Sequence, residues 1–204
     1  MEEKYSQILQ GALETFMSLG IKSVTMDDIA SRLGVSKKTL YKYVSDKEDL
    51  IMKSLQVHHD SECSFIEKMK EQNLNAIDEN FEISRNIIAQ IQNIHPSVMF
   101  DMDKYYPRAK KMFEDYKQEV VYKWVQDNLE RGIKEGLYRD DMNVQIIAGL
   151  YVTRMDDLFN PHYFPSTEFA FKDVYLESFR SHLRGIASDK GLKYWKEKMK
   201  EFNI

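Results

Sequence analysis

Residues 25–50 read TMDDIASRLGVSKKTLYKYVSDKEDL, and the fold is decided there. Thr25 with Asp28 three residues later fits a capping box, so the spacing predicts a helix start. Ile29, Ala30 and Leu33 follow as an apolar stripe at helical spacing. Gly34 comes just after the last periodic residue, where a left-handed backbone costs little only without a Cβ. Ser36 is placed to cap a second helix, with Leu40 and Val44 on its inward face. Ser45 with Glu48 predicts another capping box, opening a linking helix from about residue 46. Two short helices around a glycine turn, the second with an apolar back and a cationic, hydroxyl-bearing front, describe a helix-turn-helix reader of DNA.

Charge points the same way. Residues 21–44 carry Lys22, Arg32, Lys37, Lys38 and Lys42 against Asp27 and Asp28, a local excess of three positive charges in a chain of net charge −4. A general nucleic-acid coat is thereby excluded, and any DNA contact is local. Ser36, Lys37, Lys38, Thr39 and Lys42 are the candidates for the major groove, lysine being suited to guanine edges. Thr25, Tyr41, Tyr43 and Lys47 are the candidates for phosphates. Lys47 falls in the first turn of its helix, where a cation opposes the helix dipole and invites a phosphate partner.

The same residues carry a family resemblance. Thr25, Ile29-Ala30, Gly34-Val35-Ser36, Leu40-Tyr41, Lys47-Glu48 and Leu50, at these spacings, resemble the N-terminal domain of TetR-family transcriptional regulators. Two positions depart from the commonest pattern: Lys38 where glycine is frequent, and Val44 where phenylalanine is frequent. Lys38 adds a donor at the DNA face, which bears on the operator read; Val44 thins the packing behind it. The resemblance implies an all-α protein: a three-helix DNA-binding domain over residues 1–50, and a helical effector-binding and dimerisation domain over residues 51–204. It further implies a homodimer on a palindromic double-stranded operator, a small-molecule effector, repression as the mode, and no cofactor.

The whole chain agrees with that class. Its 204 residues, 43% hydrophobic and 30% charged, suffice for a real core, and 8 glycines and 4 prolines are too few for a sheet-and-turn protein. The single Cys63 excludes an internal disulfide and suits a reducing cytosol, so a cytoplasmic location is expected. No apolar run approaches the roughly 18 residues that span a bilayer, and MEEKYSQ has no signal-peptide pattern, so no membrane partner is expected.

Helical periodicity predicts further helices over residues 2–20, 46–70, 75–94, 108–135, 143–159 and 167–187, and another in the tail, where Leu192, Trp195 and Met199 recur at spacings of three and four. Residues 96–107 read as a short broken stretch, yet Met99, Phe100, Met102, Tyr105 and Tyr106 are too apolar for an ordinary loop. With Met112, Phe113, Tyr116 and Trp124 they are the candidate walls of an effector cavity, since methionine adapts to irregular shapes and tyrosine offers a flat face and a donor. Plain core packing is the competing reading for each of them.

By resemblance, the helices over residues 143–159 and 167–187 meet their copies in a four-helix dimer bundle. A helix-turn-helix reading two half-sites needs such a two-fold partner. Ile147, Leu150, Tyr151, Phe171, Tyr175, Phe179 and Leu183 are the candidate contacts, and Gly149 permits close helix approach. His59 and Cys63, four apart, share a helix face, but two ligands do not make a metal site, so none is expected. HExxH, GxSxG and phosphate-loop motifs are absent, and Asp140-Asp141 and Asp156-Asp157 are neighbours that do not converge, so no catalytic residue and no enzyme is expected. A body that binds a protein and no small molecule is the remaining alternative.

Overall fold

The computed structural model describes residues 2–91 and 94–202. In chain order the helices are α1 (Glu2–Leu19), α2 (Met26–Arg32), α3 (Lys37–Leu40), α4 (Lys47–Lys70), α5 (Ala76–Ile91), α6 (Val98–Tyr105) and α7 (Pro107–Tyr116). A five-residue π turn (Lys117–Val121) leads into α8 (Tyr122–Lys134), followed by α9 (Val144–Asp157), α10 (Phe171–Ile186) and α11 (Asp189–Phe202). Among the described residues the one extended pairing is an isolated bridge between Tyr138 and Ala187. The protein is all-α.

Packing divides the chain into two compact units, residues 1–67 with 93–116 and residues 68–92 with 117–204. The core of the first unit is one cluster. Ile8, Leu9, Ala12 and Phe16 of α1, Ile29 and Ala30 of α2, Leu40 of α3, and Leu50 and Ile51 of α4 all meet in it. Val98 and Met102 of α6 and Ala109 of α7 join the same cluster, which explains why this supposedly broken stretch is so apolar. It is a helix closed by Tyr106, and Pro107 then opens α7, a first-turn position where its missing N–H costs nothing.

Polar contacts hold α6 in place. Asp101, buried, accepts from the Lys22 N–H at 2.9 Å and from Ser97 Oγ at 3.1 Å. Lys22 Nζ donates to the Tyr105 hydroxyl at 2.7 Å.

The second unit is organised by a buried polar network. Asn75 caps α5, accepting from the Ile77 and Asp78 N–H groups at 3.0 Å. The free Ala76 N–H of that first turn donates to Glu135 at 2.8 Å. Asn80, Asn128 and Tyr138 bond one another and all donate to the Ala76 carbonyl at 3.0–3.1 Å. Gly132 makes room for Tyr138, because a Cβ there would stand 2.1 Å from the Tyr138 ring.

Residues 108–135 were expected as one uninterrupted helix; the π turn interrupts it. Its first residue, Lys117, is buried and its ammonium pairs with Asp156 on α9. An extra residue per turn redirects side chains along a helix, and here it accompanies an inward lysine with its counter-charge.

His182 of α10 meets Tyr151 of α9 edge-on, ring centroids 4.9 Å apart. Burial, with Arg154 adding repulsion, pushes its imidazole from 6.5 down to about 3. The folded value lies below the unfolded one, so the neutral ring favours the fold fully above pH 6.5, and that contribution drains away as pH falls from 6.5 towards 3. His182→Asn should therefore flatten the pH dependence of stability in that window by up to about 1.4 kcal/mol per pH unit. Urea denaturation of both proteins at pH 7, 6 and 5 measures the difference, and parallel curves would refute it.

Candidate nucleic-acid interface

The reader begins at Thr25. Its Oγ1 accepts from the Asp28 N–H at 3.2 Å, while the Asp28 carboxylate accepts from the Thr25 N–H at 2.8 Å, so the capping box forms as expected. These bonds hold the Asp28 carboxyl below its usual 3.8, with Lys47 assisting. Gly34 then turns the chain at φ +64°, a conformation that L side chains rarely adopt, and Val35 N–H returns to the Ala30 carbonyl at 2.9 Å.

Ser36 caps α3, accepting from the Thr39 N–H at 3.1 Å. The helix is shorter than expected: after Leu40 the bonds from Lys42 to Thr39 and from Tyr43 to Leu40 tighten the chain into a turn. Leu40, fully buried, anchors its back.

The next helix start also differs by one residue. Asp46, and not Ser45, accepts from the Asp49 N–H at 2.9 Å, and Asp49 in turn accepts from the Ser45 N–H at 2.8 Å. Aspartate is the better acceptor for a helix N-terminus, which is why the cap moves there.

The nine DNA candidates separate by what they already touch. Ser36, Lys38 and Lys42 are exposed, and Tyr41 is 45% exposed. Thr39, half-buried, shares a 2.8 Å hydroxyl contact with Ser36. Lys37 is exposed but bonded to Asp27 at 2.9 Å. Thr25 is committed to its cap, and Tyr43 packs against Tyr5 with ring centroids 5.5 Å apart. Lys47 is half-buried: its Nζ donates to the Lys22 carbonyl at 3.2 Å and lies 5.8 Å from the Tyr106 ring centre. Burial holds its ammonium below 10.5 despite Asp101 and Asp28.

All the effector candidates but Trp124 belong to the first unit, where they are dispersed. Met102 belongs to its core, with Met99 and Tyr106 packed on it. Phe100 is 58% exposed and touches Tyr105, which bonds Lys22. Met112 and Phe113 are half-buried, and Tyr116 meets His59 edge-on at 5.2 Å. Trp124 is buried in the second unit, donating to Glu79 at 2.9 Å.

On the bundle helices, Tyr175, Phe179 and Leu183 are buried within the unit, Ile147, Tyr151 and Phe171 are half-buried, and Leu150 is 60% exposed. Ile146, an apolar position of the same helix that is not among the candidate contacts, is 60% exposed and shares Leu150's face; periodicity marks apolar positions without saying what covers them. Among the described residues nothing lies within 4 Å of where a Gly149 Cβ would stand.

His59 and Cys63 do lie together at 3.9 Å, but among the described residues no group of three or more His, Cys, Asp or Glu converges on a metal position. Among the described residues no helix is long and apolar enough to cross a membrane. The Lys22–Tyr105 and Asp101 contacts were missed because they join residues 79 to 83 apart in sequence.

The comparisons with known proteins converge on this head. A family model, bacterial regulatory proteins of the tetR family, matches residues 8–52. The transcriptional activator FasR of Mycolicibacterium smegmatis is 42% identical over 60 residues, 29% of this chain and 27% of FasR, so the match spans about a quarter of that protein. The transcriptional repressor KstR2 of Mycobacterium tuberculosis is 22% identical over 151 residues, 72% of this chain and 75% of KstR2. Its solved structure superposes with a TM-score of 0.61 at 19% identity, covering 93% of this chain and 97% of that one. A solved protein from Saccharomonospora viridis in complex with choline gives a TM-score of 0.69 at 16% identity, covering 92% and 100%. The family model thus gives residues 8–52 the head of the tetR family of bacterial regulatory proteins, and these solved structures share the all-helical fold over most of the chain.

Proposed function

We propose that the protein is a homodimeric, effector-responsive repressor that reads a palindromic operator. The observation that carries this reading is α3 with the turn after it, a capped helix on a buried leucine, over which Ser36, Lys38 and Lys42 are all exposed. Lys38 and Lys42, with Ser36 and Thr39, meet base edges, and Lys37 joins them by leaving Asp27, an exposed pair worth little. Thr25, Tyr41, Tyr43 and Lys47 hold the flanking phosphates. Repression is supported by the similarity to KstR2 over most of the chain, whereas the FasR match is confined to about a quarter of that activator.

The functional boundary we propose lies near residue 50, residues 1–50 reading DNA and residues 51–204 responding and dimerising. The exposed Ile146 and Leu150 stripe of α9, with open space over Gly149, supports a dimer face there. Ile147, Tyr151 and Phe171, half-buried, are proposed to join it, while Tyr175, Phe179 and Leu183 are buried within the unit. Met99, Phe100, Met102, Tyr105, Tyr106, Met112, Phe113, Tyr116 and Trp124 stay as the proposed effector-responsive set. Effector binding favours a head spacing that no longer fits the operator, a population shift requiring only differential affinity.

A mobility shift of the purified protein on its own upstream DNA, with sedimentation to fix the oligomeric state, tests the reading. A strict monomer, or no preference for any duplex over bulk DNA at moderate salt, would overturn it. Within it, Lys47→Ala should weaken binding to all duplexes and flatten the slope of log affinity against log salt by about one unit. An unchanged slope would leave Lys47 a purely internal clasp between α4 and the Lys22 carbonyl.

A further inference from the structure

Arg154 stands out among the charged groups of the second unit. Its guanidinium lies 5.5 Å over the Tyr151 ring, and among the described residues no carboxylate or other acceptor bonds it. Burial pulls its pKa below 12.5, with Tyr151 and Tyr175 opposing the drop. A guanidinium drawn partly out of water without a counter-charge is costly, and such groups are ordinarily paired.

Its neighbours are donors too. Burial raises the Tyr151 and Tyr175 hydroxyls, so both stay protonated, and the neutral His182 ring carries one N–H. Ser84 of α5 is wholly buried and near enough to Tyr175 to lower its pKa, yet nothing meets Ser84 Oγ at hydrogen-bond geometry. The surroundings then turn apolar: Tyr175 stacks on Phe179 at 6.4 Å, and Phe179 meets Phe81 edge-on at 5.7 Å.

A planar fork of N–H groups, flanked by hydroxyl donors and backed by aromatic rings, lacks one thing, a planar anion. One cation matches one negative charge, which selects a carboxylate over a dianionic phosphate. We propose that Arg154, with Tyr151, Tyr175 and His182, binds the carboxylate of a small apolar acid, whose body lies towards Phe179 and Phe81. This rests on the effector response proposed above, not on the residue set named with it, and gives that effector a chemical class and a site of its own.

The test is calorimetric titration of the full-length protein with benzoate and octanoate against their neutral twins, benzamide and octanamide, followed by DNA-binding anisotropy with each. At least one acid should bind, its amide about 10-fold or more weaker, and Arg154→Gln should lose about 10- to 100-fold in acid affinity while ligand-free DNA binding is kept. Arg154→Lys, which keeps the charge and loses the fork, should fall between. If Arg154→Gln does not fold, as circular dichroism would show, Arg154→Lys and Tyr151→Phe carry the comparison.

The proposal is overturned if neither acid binds at millimolar concentration, if acid and amide bind alike, or if Arg154→Gln binds as the parent does. Release of DNA by a neutral twin as readily as by its acid would sink the carboxylate site while leaving effector response standing. Loss of the dimer in Arg154→Gln would assign the arginine to an interface and end the proposal as well.

Discussion

Glu79→Ala should lower the unfolding free energy of the second unit by about 3–5 kcal/mol, the expected cost of removing one partner from a buried ion pair. Glu79 is 3% exposed on α5 and receives three donors. Trp124 Nε1 and Asn128 Nδ2 reach it at 2.9 Å each, and the Arg131 guanidinium pairs with it. Alanine leaves the indole N–H without its acceptor, takes one of two acceptors from Asn128, which keeps the Ala76 carbonyl, and leaves Arg131 with only the longer 3.6 Å pairing to Glu135; each unsatisfied buried donor costs on the order of 1–3 kcal/mol. Partial access of water to Arg131, which is not fully buried, limits the total. Glu79→Gln isolates the charge, because its carbonyl still accepts from Trp124 or Asn128; it should cost less than half as much. Urea denaturation followed by tryptophan fluorescence reads both, and an alanine loss below about 1 kcal/mol would mean that water replaces the carboxylate. The effect should be confined to the second unit, since the reader's core is built from α1–α4, α6 and α7 and contains none of these residues.

What the residues revealed in advance was what depends on near neighbours. The Thr25–Asp28 box, the Gly34 turn and the Ser36 cap all close within three or four residues, so their chemistry is visible in a short window. Where two acceptors competed within such a window, as Ser45 and Asp46 do, the window located the helix start but chose the neighbouring cap. The π turn lay beyond reach, since the residues from Lys117 to Val121 have ordinary helical spacing and the ion pair accompanying the turn lies 39 residues away. The candidate sites show the same limit. Apolar spacing placed Leu150 and Leu183 on equal terms, yet one is 60% exposed and the other 1%, because burial is decided by which helix arrives on top. The Arg154 cluster was invisible for a similar reason: Tyr151 and Arg154 are neighbours on α9, but Tyr175 and His182 come from α10, and nothing local couples the two pairs.

Replacing both Lys38 and Lys42 by alanine should reduce affinity for the operator by about 100-fold or more, with a much smaller loss on scrambled duplex of equal length. Each lysine pairing a guanine edge is worth about 1–3 kcal/mol of discrimination, and the proposed dimer would present both twice. The variant leaves the reader's frame intact, because Leu40 still anchors α3 and Ser36 still caps it. Lys37→Ala is the internal comparison. Its ammonium is shared with Asp27 before DNA arrives, so part of what DNA gains from Lys37 is offset by the pair it breaks, and the loss should be smaller. Fluorescence anisotropy on operator and scrambled DNA at two fixed salt concentrations separates the terms, since phosphate contacts change the salt slope and base contacts change the ratio between sequences. Equal losses on both duplexes would reduce Lys38 and Lys42 to backbone charges, and sequence choice would pass to the hydroxyls of Ser36 and Thr39. The departure at Lys38 makes the ratio informative: where relatives commonly have glycine, this chain carries a long donor on the exposed side of its reading helix, so its operator should contain a position that tolerates no substitution while Lys38 is present and any base once it is removed.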